Sequence, residues 1–123
     1  MNGNSIVLDT NIILYLLNGD EQLSAILSGM ELFVSVISEI ELLGYNGIGE
    51  DDKLKIKFFL SECSIISLDN EVKELSIKIK QKFKVKTPDA IIASTAIFFN
   101  LPLITADKGF EKISDLDLMI YQV

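Results

Sequence analysis

Short, unbroken apolar runs recur along this chain, and they constrain its fold more than any other feature. "SIVLD" (5–9), "ELFVSVI" (31–37), "CSIISL" (63–68) and "LPLITAD" (101–107) are each followed by a helical pattern or turn, and "DLMIYQV" (117–123) closes the series. A strand with one wet face alternates apolar and polar residues, whereas a strand covered on both faces reads as a continuous apolar run. Strands of the second kind, alternating with helices, predict a parallel sheet with helices on both faces. The expected fold class is therefore α/β, with three α/β/α layers and a central, mainly parallel sheet of four to five strands. No internal repeat and no long linker divides the sequence, so residues 1–123 are read as a single domain.

The intervening segments carry helix signals. Ile12, Ile13, Leu16 and Leu17 have helical spacing, with Asn18-Gly19 as a stop, and a second short helix is expected over Glu21 to Leu27. "SEIELLGY" opens a helix with Ser38 as N-cap, and Glu41 stands three residues on, as in a capping box. "DDKLKIKFFLSE" and "DNEVKELSIKIKQKF" supply two more, the latter capped by Asp69 or Asn70. In "TPDAIIASTAIFFN", Thr87 is the expected N-cap and Pro88 the first helical residue, so Asp89 falls in the first turn. Its neighbours at i+3, i+4 and i+7 are Ile92, Ala93 and Ala96, a face that should be buried.

What the chain lacks narrows its chemistry. It has no histidine, which removes Ser-His-Asp and Cys-His nucleophile systems, and its one cysteine excludes zinc sites of the Cys/His kind. Cys63, in apolar surroundings, reads as an inert core thiol. No signal-peptide pattern opens the sequence, and the most apolar stretch is interrupted by Ser94, Thr95, Asn100 and Pro102, too short and broken to span a bilayer. A soluble, cytoplasmic protein with no membrane association is expected. The net charge of −7 opposes general attraction to nucleic acid, so such a substrate needs a local basic patch or a bound cation.

The acids fall at junctions. Asp9 ends the first strand, Glu41 lies early in the helix after the second, and Asp107 ends the fourth. In an open α/β sheet these positions share one edge, where ligands bind, and Asp89 joins them if its helix starts there. Singly, each has a plainer reading: Glu41 as half of a capping box, Asp107 as an N-cap, Asp89 as a dipole-favoured first-turn acid. Together they are costly. Two carboxylates roughly 4 Å apart repel by about 1 kcal/mol in water and about 4 kcal/mol at an effective dielectric constant of 20. Four acids make six pairs, a burden comparable with a typical folding stability of about 5–15 kcal/mol. Either some are protonated or a cation sits among them, and oxygen-only ligands suit a hard divalent ion, Mg²⁺ or Mn²⁺.

Four segments in order, "IVLDTNIILYLLNGD", "VSVISEIELLGY", "TPDAIIASTAI" and "LITADKGF", resemble the signature segments of PIN-domain ribonucleases, and most of all the VapC-like toxins of toxin–antitoxin pairs. The resemblance implies a metal-dependent endoribonuclease that hydrolyses RNA phosphodiester bonds using Mg²⁺ or Mn²⁺. Matched motif to motif, it places Asp9, Glu41, Asp89 and Asp107 as catalytic metal ligands, and selects Glu41 over Glu39. Asn11 falls on a position that helps organise the pocket, and Thr105 near a supporting hydroxyl. Ala106 stands where relatives often have a basic residue. Water attacking in line would leave a 5′-phosphate and a 3′-hydroxyl. A small antitoxin protein and a second copy of the chain, as homodimer, are the partners implied.

All eleven basic residues are lysines, and Lys78, Lys80, Lys82, Lys84 and Lys86 lead into the Asp89 segment. Lys82, Lys84 and Lys86 are candidates for RNA phosphate contacts, against the plainer reading of a solvated surface. Two rival functions share these features. A receiver-like phosphoacceptor would use Asp69 as acceptor and Thr105 as switch hydroxyl, but needs an acidic pair where this chain has "DTN". A PIN-like module that binds RNA or protein without cutting is the other.

Overall fold

The computed structural model describes residues 4–122. Five strands, β1 (Ser5–Leu8), β2 (Glu31–Ser35), β3 (Ser64–Ile66), β4 (Leu103–Thr105) and β5 (Leu118–Ile120), form one sheet in the order β3-β2-β1-β4-β5. Every neighbouring pair is parallel, with Val7 in register with both Phe33 and Leu103. Six helices connect them: α1 (Thr10–Leu17), α2 (Glu21–Leu27), α3 (Val36–Leu43), α4 (Glu50–Ser61), α5 (Asn70–Lys82) and α6 (Thr87–Phe98), with a 3₁₀ turn at Lys108–Lys112.

The apolar runs behave as their composition demands. All four residues of β1 are buried. Ile6 and Leu8 join one core with Ile12 and Ile13 of α1, Leu23 of α2, and Ile56 and Leu60 of α4. Val7, pointing the other way, joins a second core with Ile79 of α5, Ala90, Ile92, Ala93 and Ala96 of α6, and Phe110. The period of two along a strand thus feeds both layers, and small alanines let α6 lie close against the sheet. Among the described residues no helix is long and apolar enough to cross a membrane.

Several boundaries differ from the sequence expectation. α3 starts at Val36, its N-cap is Ser35, and the Ser35 hydroxyl accepts from Ile37 N at 3.1 Å. The earlier serine captures the helix start, so β2 ends before Ile37 and Ser38 is no cap; the Ser38–Glu41 capping box does not exist. α6 is preceded by Lys86 as N-cap, not Thr87, whose hydroxyl accepts from Lys80 Nζ at 3.0 Å. β1 and β2 run straight into helix caps, Asp9 and Ser35, which ends them there. Of the closing run, Val123 lies outside the described residues.

Strand order sets the edge that matters. From β1 the chain winds outward through β2 to β3, then crosses to β4 on the other side of β1. The C-terminal ends of β1 and β4 therefore flank the topological switch point, where doubly wound sheets open a crevice. α6 delivers the chain to the start of β4 within five residues, and twelve residues of helix span about 18 Å. Its N-terminus, with Asp89, is thereby carried to the far edge, beside the ends of β1 and β4.

Candidate functional site

Asp9 leaves β1 directly at the switch point and is 5% exposed, the one buried acid in the described core. It is also the N-cap of α1: Oδ1 accepts from Thr10 N at 2.8 Å, satisfying a helix-end donor. Oδ2 accepts from the fully buried Thr105 hydroxyl at 2.6 Å, and Thr105 Oγ1 in turn accepts from Asp107 N at 3.0 Å. One side chain at the end of β4 thus fixes both Asp9 and the backbone that carries Asp107. The carboxylate of Asp107 caps the 3₁₀ turn, with Oδ1 accepting from Gly109 N at 2.8 Å, so the plain N-cap reading holds for that oxygen.

Glu41 is exposed on α3 and is held from across the site. Thr10 Oγ1 donates to Glu41 Oε1 at 2.7 Å. The same hydroxyl lies 2.8 Å from Ser38 Oγ; since its single proton goes to Glu41, Ser38 is the donor there. Asp89 is half-buried in the first turn of α6. Asn11, exposed beside Thr10, takes part in none of these bonds.

The four acids share one field. Burial pushes the Asp9 carboxyl above its ordinary 3.8; the bonds from Thr105 and Thr10 pull it back, and the charges of Asp107 and Glu41 push it up again. Burial likewise raises Asp89, followed by repulsion from Asp9, Asp107 and Glu41, with Lys86 opposing. No ammonium touches any of them: among the described residues the single side-chain ion pair is Lys53–Glu50, on the surface of α4. Nor, among these residues, does any group of three acid or cysteine side chains close into a ready-made metal cage. The donor set fits a hard cation that keeps several waters and takes one or two carboxylates directly, as Mg²⁺ does.

The three candidate lysines separate. Lys84 and Lys86 line a cleft beside Asp89, together with Lys112. Lys82, at the end of α5, instead lies over the Phe83 ring, 5.5 Å from its centroid, and lines a different groove with Leu75 and Ile97. Asp69, the acceptor a receiver-like domain would need, is spent as the N-cap of α5, accepting from Val72 N at 3.0 Å. Sequence reasoning missed Thr10 and Lys112, and gave Ser38 the wrong task. Thr10 was legible as the residue after Asp9; nothing in the pattern singles out Lys112.

The PIN domain family model matches residues 6–116. The structure superposes on a chain of a toxin–antitoxin complex from Klebsiella pneumoniae with 28% identity and a TM-score of 0.82, covering 96% of this chain and 99% of that one. VapBC2 from Rickettsia felis, solved bound to a promoter DNA fragment, gives 27% identity and 0.78, with 96% and 99% covered. VapBC-1 from nontypeable Haemophilus influenzae gives 26% and 0.76, with 94% and 97% covered. No curated protein matches the sequence. A family match from β1 to the approach of β5, on a sheet whose acids gather at its switch point, means that the chain belongs to the PIN-domain family.

Proposed function

We propose that this PIN domain is a divalent-metal-dependent endoribonuclease and the VapC-like toxin of a toxin–antitoxin pair. One observation carries the nuclease reading: four carboxylates from distant segments repel one another at the switch-point edge with no ammonium in contact. Asp9 and Asp89 are the principal ligands in this reading, with Glu41 and Asp107 completing the site directly or through water. Bound there, Mg²⁺ or Mn²⁺ would supply Lewis acidity at the phosphate and a ready nucleophile from water.

The chain's own residues supply the rest. Thr105 and the Thr10 amide fix Asp9, and Thr10 fixes Glu41, so two acids from different layers hold their places without a ligand. Such preorganisation spares reorganisation during the reaction. Asp89 accepts no protein hydrogen bond among the described residues, leaving both oxygens available to a ligand. With no histidine in the sequence, a proton leaving the nucleophile passes to a carboxylate or to water.

The expected result is RNA cleavage that needs Mg²⁺ or Mn²⁺ and stops with EDTA. Asp9→Asn and Asp89→Asn should each lower the rate about 100-fold or more while circular dichroism shows an intact fold. Undiminished cleavage by both variants would reject the assignment. The toxin role is supported by the likeness to chains from toxin–antitoxin complexes. A small reading frame beside this one, whose product co-purifies with the protein and blocks cleavage, is expected; a protein that never pairs would refute it. Light scattering tests the homodimer that the family resemblance of the sequence implies: a monomer at all concentrations would refute it.

A further inference from the structure

The connection between α5 and α6 faces the 3₁₀ turn across a cavity of about 170 Å³. Its lining includes Lys84, Lys86 and Lys112, the backbone at Gly109, and Asp89 of the acid site. Three ammonium groups thus border one cleft of a chain whose net charge is −7, and none of them forms an ion pair among the described residues. Lys112 is anchored, its Nζ donating to the Lys84 carbonyl at 3.0 Å, which holds one cation across the mouth of the cleft. Lys86 is the N-cap of α6, and no side chain caps that helix end. Its open N–H groups add to the positive field on the same side.

We infer that this cleft is a phosphate subsite that grips the RNA backbone one or more nucleotides from the acid centre. The inference rests on the nuclease reading and adds what that reading lacks, a means for an acidic protein to hold a polyanion. Asp89 borders both the cleft and the acid cluster, so a strand lying in the cleft passes directly to the reacting carboxylates. Lys82 has no part in it, because α5 continues to that residue and turns it away from its alternating neighbours. An acidic segment of a partner protein is the competing occupant. A polynucleotide fits better because Asp89, one of the four acids of the proposed reaction centre, lines the cleft.

The test measures binding of a fluorescein-labelled single-stranded RNA in Mg²⁺ buffer to full-length protein carrying Asp9→Asn, which separates binding from cleavage. Each phosphate contact contributes about −0.7 to the slope of log affinity against log salt for a single strand. Lys84→Gln with Lys112→Gln should therefore flatten the slope by about 1.4, while Lys82→Gln and Lys53→Gln leave it unchanged. Lys112→Arg, which keeps charge and donor, should restore half of the loss. An unchanged slope in the double variant, equal losses in the Lys82 or Lys53 controls, or no RNA binding at all would overturn the subsite. So would normal RNA binding with selective loss of a protein partner. RNA binding that depends on Lys84 and Lys112 in a protein that never cleaves would sink the nuclease reading alone; cleavage whose KM ignores both lysines would sink the subsite alone.

Discussion

Replacing Thr105 by valine removes one hydroxyl and keeps the shape of the side chain. In the native protein that hydroxyl donates to Asp9 Oδ2 at 2.6 Å and accepts from Asp107 N at 3.0 Å, in a position with no solvent exposure. A hydrogen bond to a charged group contributes about 1.5–3 kcal/mol and a neutral one about 1 kcal/mol. The methyl group that replaces the hydroxyl returns about 1 kcal/mol by apolar burial. The net loss at neutral pH is therefore about 1.5–3 kcal/mol, or roughly 5–12 °C in Tm for a domain of this size. The effect should grow with pH, because the Thr105 bond favours the ionised form of Asp9, so the loss should be smaller at pH 4 than at pH 7. Urea unfolding of wild type and Thr105→Val at pH 4 and pH 7 measures this directly. On the proposed nuclease reading, activity should fall about 10–100-fold, as when a metal ligand loses its supporting bond, whereas Thr105→Ser keeps the donor and most of the rate. A Thr105→Val protein with wild-type stability at both pH values would refute the claim that this bond holds Asp9.

The raised carboxyls of Asp9 and Asp89 make a second prediction. A carboxyl whose folded pKa exceeds its unfolded 3.8 favours the native state at low pH, and that advantage is lost as pH rises through the raised value. In EDTA, Asp89→Asn should gain stability relative to wild type as pH rises from about 4 to 7, and Mg²⁺ should erase the difference by stabilising wild type alone. Parallel stability curves would contradict this. Gly44→Ala should cost about 1–3 kcal/mol in urea unfolding, since the added Cβ would meet Ile40 O at 2.5 Å and backbone must move. Cys63, pushed up to about 11 by burial and then by Glu62, should resist iodoacetamide at pH 7.5 in the native protein and react on unfolding, as mass spectrometry would show.

The layers of this fold were legible because Ile6, Val7 and Leu8 are all apolar, which only a strand covered on both faces requires. The edge position of Asp9, Glu41 and Asp107 followed from their places at strand ends, whereas that of Asp89 was conditional until the start of α6 was located. What stayed hidden depended on choices between near-equivalent residues. Ser35 and Ser38 both suit an N-cap, and only the folded chain shows the first taking that place while the second bonds Thr10. The alternating lysines read as one basic stripe, yet α5 ends at Lys82 and the chain turns extended at Phe83, so Lys82 stays with the helix while Lys84 and Lys86, beyond it, line a different cleft. Lys112 reaches the same cleft from 26 residues beyond Lys86, a proximity that no local pattern encodes.

The contact between Thr105 and Asp9 joins residues 96 positions apart, and its timing matters during synthesis. A ribosome releases Asp9, Glu41 and Asp89 before β4, whose Thr105 buttresses Asp9, exists. A polypeptide truncated before residue 103 would carry most of the acidic groups but no neighbour for the open flank of β1. On the proposed nuclease reading, products terminated before β4 should therefore be inert.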